Sequence, residues 1–321
     1  DSKPSELLGS DVASVLSHIP APTIENIEVI TNPSAKYDPD GMSGIINIKL
    51  KEKGNMGLNG MVNISAGSAL DKFLPKANGS ASVSYSTKKF GFSASIDGRY
   101  DQRGRRSDNM KLLFGSEPNS LEAWMRSRRD GIEEGYSEGM KLGFDWYINQ
   151  KNTLTLSYTG RGQNTISDHT VINNINLIDS MSYRSLDQIT DGDRSGQFHT
   201  FSLNYQKKFN KPDQELMVDA NWNIGRFNRE STQKIDYLND MFDTDYAFDK
   251  KDVTKANDDR AVVKINYTHP FSKELRLETG YNLNYSNRHS DYDYYFNGLS
   301  EKDTATSYVF HSTEYIHALY A

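Results

Sequence analysis

From Gly57 onward the chain alternates apolar and polar residues in nearly every segment long enough to judge. In MKLGFDW, Met140, Leu142, Phe144 and Trp146 share one face, while Lys141, Gly143 and Asp145 share the other. Leu154, Leu156 and Tyr158 stand against Thr153, Thr155, Ser157 and Thr159, and Phe201, Leu203 and Tyr205 against Thr200, Ser202 and Asn204. LMVDANWNI separates Leu216, Val218, Ala220, Trp222 and Ile224 from Met217, Asp219, Asn221 and Asn223, and AVVKINY and LRLETGYNLNY repeat the scheme. Successive strand side chains point to opposite faces, so this period predicts strands with one apolar and one polar face. Ten are predicted, beginning at Gly57, Asn78, Phe90, Tyr136, Asn152, Gln197, Gln214, Asp259, Glu274 and Ser307.

The connections between them are of two kinds. Tight polar turns fall at 87–89, 149–152, 210–213 and 272–274, whereas 101–135, 162–195, 228–258 and 287–306 read as long loops. Compact soluble domains seldom repeat loops beyond about 12–15 residues. Short turns at one end and long loops at the other are the layout of an outer-membrane barrel, while a soluble sandwich would show turns at both ends. Aromatic residues reinforce this. Phe90, Phe92, Trp146, Tyr147, Tyr205, Phe209, Tyr267 and Phe271 sit near the tight turns, and Tyr100, Tyr136, Tyr158, Trp222, Tyr281 and Tyr285 lie at the far ends. Two such bands would be interfacial girdles; the alternative is that aromatic residues simply favour strands.

Before Gly57 the pattern differs. Residues 5–20 suggest a short helix, with Ser10 as a cap, Val12, Val15 and Leu16 as an apolar stripe, and Pro20 and Pro22 stopping it. Two short apolar runs, 24–31 and 44–50, then flank NPSAKYDPDG, whose Asn-Pro and Asp-Pro-Asp-Gly steps predict strand, loop, strand.

Composition narrows the class. The 321 residues are 36% apolar and 25% charged with a net charge of −6, which argues against disorder and against a nucleic-acid partner. Mean hydropathy is −0.72 and no long apolar run exists, so a helical span is excluded; a barrel is not, since its strands face lipid with every second residue. Without cysteine there is no disulfide scaffold or thiolate metal site. The start at Asp1 and the end within the strand-like STEYIHALYA suggest a fragment of a longer protein.

IENIEVITNPSAKYDPDGMSGIINIKLKEK resembles the end of the plug domain in TonB-dependent outer-membrane receptors, particularly those of the Bacteroidota. The resemblance rests on Ile27-Glu28-Val29-Ile30, Asn32-Pro33-Ser34-Ala35-Lys36-Tyr37, Gly41, and Gly44-Ile45-Ile46-Asn47-Ile48. KPSELLGSDVASVLSHIPAPTIE is similar to the plug helix and its exit, though Ser2 stands where the family usually has Gly. Gly41 and Gly44 would let the chain turn tightly in a confined lumen, and Pro33 would stiffen the loop start. The resemblance implies an antiparallel, up-and-down all-β transmembrane barrel of about 22 strands, preceded by the C-terminal part of a small α/β plug domain. Residues 1–54 would be that plug portion and 55–321 the N-terminal part of the barrel. Implied partners are outer-membrane lipid and lipopolysaccharide, the TonB complex through a segment outside 1–321, an imported ligand and a surface lipoprotein. Asp145, Asp219, Asn221, Lys264, Arg276 and Glu278 would line the lumen. A non-transporting barrel, serving as adhesin, sensor or assembly factor, is the alternative.

No catalytic constellation is legible: the seven His are scattered and no phosphate loop follows a strand, so neither an enzyme nor a cofactor is expected. Three features remain. Arg103, Arg105, Arg106, Arg126, Arg128 and Arg129 fall in one predicted loop, where Arg105 and Arg128 are candidates for phosphate or anion contact, unless nearby carboxylates balance them. Asp236, Asp240, Asp243, Asp245 and Asp249 offer oxygens, but the spacing and missing Gly fit no calcium loop. Tyr292, Tyr294, Tyr295 and Phe296 in DYDYYFNG are candidate ligand contacts, or else belong to the upper girdle or to loop packing.

Overall fold

The computed structural model describes residues 24–30, 45–50, 56–69, 73–114, 121–177, 183–239, 246–272, 275–296 and 301–321. Strands β1 (Ile24–Ile30) and β2 (Ile45–Leu50) form an antiparallel pair, with Glu28 opposite Asn47. The predicted helix over 5–20, and with it the motif residues Asn32, Pro33, Ser34, Tyr37, Gly41 and Gly44, lie outside the described residues.

Ten further strands make one antiparallel meander in strict chain order. They are β3 (Gly57–Ala69), β4 (Leu74–Ser86), β5 (Phe90–Phe114), β6 (Leu121–Asn149), β7 (Asn152–Leu177), β8 (Tyr183–Lys208), β9 (Glu215–Asn239), β10 (Tyr246–Pro270), β11 (Arg276–Phe296) and β12 (Tyr308–Tyr320). Strands β3 and β12 are the edges of this sheet. Every tight turn predicted from sequence is a hairpin turn, and each carries its own chemistry. The Thr87 hydroxyl accepts from Phe90 N at 3.0 Å, Asn149 Oδ1 from Lys151 N at 2.9 Å, and Ser272 Oγ from Leu275 N at 3.0 Å. Asp213 takes the left-handed conformation (φ 61°), which short polar side chains tolerate.

The long loops are corrected. Strands β5 to β10 run 25 to 29 residues, and the predicted 101–135 loop is mostly ladder: Asp101 pairs Gly135 and the register continues to Leu113 opposite Ala123. Apolar alternation fades along these stretches, yet a hydrogen-bonded ladder does not need it when both faces meet water. Polarity alone therefore read strand as loop.

Register settles which side chains share a face. One row crosses Tyr85, Phe92, Phe144, Leu156, Leu203, Ala220, Val263 and Leu283. The neighbouring row, one residue away, crosses Gly91, Asp145, Thr155, Asn204, Asp219, Lys264 and Asn282. Exposure is inverted relative to a water-soluble fold: Leu203 is 38% and Trp222 51% exposed, while Asp219 is 5% and Lys264 8% exposed. The sheet is curled with its polar face inside. Lateral hydrogen bonds link that face in part: Thr155 Oγ1 donates to Asp145 Oδ1 at 2.5 Å and Asn204 Nδ2 to Asp219 Oδ1 at 2.5 Å, while Asp219 Oδ2 and Asn282 Oδ1 are buried without a hydrogen-bond partner.

Both aromatic bands point outward, Tyr147 excepted, because their strand positions have the parity of the apolar row. Tyr158 packs on Phe201 at 5.0 Å and Phe201 on Trp222 at 5.9 Å, and Tyr285 meets Tyr315 at 4.9 Å. From Phe90 to Tyr100 the rise is about 25 Å, at ~3.3 Å per residue and ~40° of tilt, which is the height of a lipid-facing band. Beyond it the strands continue past the membrane.

Candidate functional site

Above that band the inner face carries arginine on β5, β6, β8 and β9 and tyrosine on β11 and β12. Parity fixed at the Asp145–Thr155–Asn204–Asp219–Lys264 row carries upward through unbroken ladders, so Arg103, Arg105, Arg129, Arg194 and Arg229 all share the inner face. They differ in how they are neutralised. Arg103 and Arg99 both reach Asp101, the latter at 3.4 Å, and Arg105 Nε donates to Glu133 Oε2 at 2.6 Å. Arg194 and Arg229 are register partners, flanked by Thr165 and Thr254 rather than by acids. Among the described residues neither they nor Arg129 has a carboxylate within ion-pair distance. The nearest acidic influence on Arg229 is Asp252, whose carboxyl burial pushes above the usual range although Arg229 and Lys250 pull it down.

A cavity of about 360 Å³ opens here, lined by the basic Arg105, Arg129, Arg194 and Arg229, by the acidic Glu133, Asp193 and Glu230, and by His169, Thr165, Ser167, Thr190 and Gln233. Gln188 Nε2 donates to Gln233 Oε1 at 2.8 Å and to Thr190 Oγ1 at 3.0 Å, fixing part of its wall. His169 leans over Gly131, where a Cβ would collide with the ring and with the Asp168 carbonyl. Its Nδ1 is buried without a hydrogen-bond partner.

The aromatic candidates divide. Tyr292, Tyr294 and Phe296 have inner parity and Tyr295 outer parity. Tyr292 stacks on Tyr308 at 5.1 Å with 27° between planes, and Phe248 meets Phe296 at 5.4 Å. Burial, then the nearby Asp252, raises the Tyr292 hydroxyl above its ordinary range. The sequence reading placed these residues in a loop; they belong to the end of β11, where the ladder orients each one.

The arginine candidates divide in the same way, which corrects their placement in a common loop. Arg105 faces inward and Arg128 outward, because they are an odd number of register steps apart on paired strands. Arg126 grips Asp108 with two bonds, Nε to Oδ1 at 2.9 Å and Nη2 to Oδ2 at 2.6 Å, and Arg128 approaches the same carboxylate at 3.7 Å. Arg106 pairs with Asp130 at 3.0 Å. The Arg126 hydrogen bond holds the Asp108 carboxyl below its usual range. The outer arginines are thus balanced by carboxylates.

Of the acidic cluster, Asp236 is on β9 and Asp249 on β10, while Asp240, Asp243 and Asp245 lie outside the described residues. The sequence reading missed Arg194, Arg229 and His169. A signal existed: Arg194 has the parity of Asn204 and Arg229 that of Asp219. It becomes readable only once the strands are known to run unbroken.

Residues 207–321 match the outer membrane protein beta-barrel family. No curated protein matches the chain. Among solved structures, a ferric enterobactin receptor of Pseudomonas aeruginosa, a mutant bound to enterobactin, is similar at 9% identity and a TM-score of 0.34, over 86% of this chain and 59% of that one. The same receptor bound to another compound gives 10% identity, a TM-score of 0.35, 87% of this chain and 57% of that one. A siderophore receptor from P. aeruginosa gives 13% identity, a TM-score of 0.24, 94% of this chain and 80% of that one. The chain spans less than two thirds of the length of the enterobactin receptor structures. The family match and the lipid-type outward face make this an outer-membrane protein, crossing the bilayer repeatedly with the strands of a β-barrel.

Proposed function

We propose that the chain belongs to an outer-membrane receptor that captures a scarce ligand and imports it with energy delivered by TonB, of the type found in Bacteroidota. Residues 1–54 contribute the C-terminal part of the plug and 55–321 ten strands of the surrounding barrel, with lipopolysaccharide and a surface lipoprotein as outer partners. One observation carries the reading. The inner face is polar through the membrane band, and above it Arg129, Arg194 and Arg229 line a cavity. A barrel whose inside is wet and whose upper inner wall holds unbalanced charge is built to receive a solute, not only to anchor in lipid. The plug motif around Glu28 and Asn47 adds the gate that such a lumen requires.

The test is uptake. A strain lacking the gene is offered panels of siderophores, cobalamins, peptides and glycans as the sole source of the scarce element, then compared with a strain lacking TonB. The reading expects one panel member to be lost in both strains. Capture that survives loss of TonB would replace import with the adhesin or sensor reading.

A further inference from the structure

We infer that the cavity between β5 and β9 is a binding site for a multiply charged oxyanion, a phosphate- or polycarboxylate-bearing ligand, held by Arg129, Arg194 and Arg229 with His169. Like charges placed directly opposite one another on a sheet destabilise it, so the facing pair Arg194 and Arg229 needs a compensating group. For other described arginines of the membrane-distal half the chain supplies that group: Asp101 for Arg99 and Arg103, Glu133 for Arg105, Asp108 for Arg126 and Arg128, and Asp130 for Arg106. Directly opposite Arg194 and Arg229 it supplies threonines instead, Thr165 and Thr254; the inner-facing Asp252 acts on Arg229 from the diagonal position without forming an ion pair.

The donors converge on one cavity. Arg129, Arg194, Arg229 and His169 all line the same cavity of about 360 Å³, and the Nδ1 of His169 is buried without a partner. Guanidinium forks match the spacing of carboxylate and phosphate oxygens, and they strengthen as water is excluded. A neutral ligand would leave the Arg194–Arg229 repulsion in place. A cation would increase it. Lipid phosphate is the wrong source, since lipid meets the outward face, where Arg126 and Arg128 are already engaged by Asp108.

The inference deepens the receptor reading, from which it takes the enclosed face as the ligand side, but it requires no TonB coupling. Failed binding and failed energised uptake are therefore separate results. The experiment is calorimetric titration of the full protein in detergent with inorganic pyrophosphate and with citrate, at low and high salt. Saturable binding of either is expected, weakened about tenfold or more by Arg194→Gln or by Arg229→Gln, since each removes a charge-assisted bond. Arg126→Gln with Arg128→Gln should leave the affinity unchanged. Arg229→Lys, which keeps the charge and so the fold, should still weaken binding by losing the fork. Absence of binding by the unaltered protein overturns the inference. So does binding that survives Arg194→Gln and Arg229→Gln, or that is lost equally with the outward pair.

Discussion

A single arginine placed at Leu203 tests the assignment of faces quantitatively. Leu203 has outward parity, is flanked by Leu156 and Ala220 in the apolar row, and is 38% exposed. It stands five residues from Lys208 at the turn end of β8, a rise of about 13 Å at ~3.3 Å per residue and ~40° of tilt. That is half the height of a ~25 Å lipid band, so Leu203→Arg puts a guanidinium near the bilayer midplane, at a cost of about 2–4 kcal/mol. At about 1.4 kcal/mol per decade the folded-to-unfolded ratio should fall roughly 30- to 1000-fold. Ser202 lies at the same height with inner parity, opposite Asn221, and Ser202→Arg should cost within about 0.5 kcal/mol. Urea titration of the intact protein in phosphatidylcholine vesicles, followed by tryptophan fluorescence, measures both. Equal costs for the two variants, or less than about 1 kcal/mol for Leu203→Arg, would refute the face assignment.

Two further predictions concern the inner face and a turn. Asp219 and Lys264 are register partners and nearly fully buried, so Asp219→Ala should destabilise by about 3–5 kcal/mol, and adding Lys264→Met should recover most of that in a double-mutant cycle. In the turn before β12, the Thr306 hydroxyl and then the Ala305 amide hold the Asp303 carboxyl below its ordinary range. A depressed carboxylate contributes stability that is present above the unfolded value near ~3.9 and lost as pH falls through the folded one. Amide exchange at Ala305 and Thr306, corrected for intrinsic rates, should therefore quicken on acidification in the native chain and be pH-independent in Asp303→Asn. Unchanged protection across that range would contradict it.

The membrane-spanning part of the fold was legible because lipid on one side and water on the other impose the period of two that Met140 to Trp146 and Leu216 to Ile224 display. The strand count and the hairpin turns followed from it. What failed was the part above the membrane, where water bathes both faces and Arg103 to Lys111 can pair in a ladder without any apolar signature. That failure hid the inward row of arginines. Six arginines between Arg103 and Arg129 read as one basic loop, whereas the pleat sends Arg103, Arg105 and Arg129 inward and Arg106, Arg126 and Arg128 outward. Tyr295 was grouped with Tyr294 by proximity in sequence, and adjacency in a strand is the very thing that separates them.

The most direct measurement uses the absence of cysteine, which lets single nitroxide labels be placed without removing native thiols. Labels at Phe201, Ser202, Leu203 and Asn204 in turn, with the protein in vesicles, report collisions with oxygen, which dissolves in lipid, and with a water-soluble nickel chelate. The account predicts high oxygen accessibility at Phe201 and Leu203, and low oxygen with nickel contact or shielding at Ser202 and Asn204. A flat profile across the four positions, or alternation in the opposite phase, would contradict a polar lumen enclosed by a lipid-facing sheet.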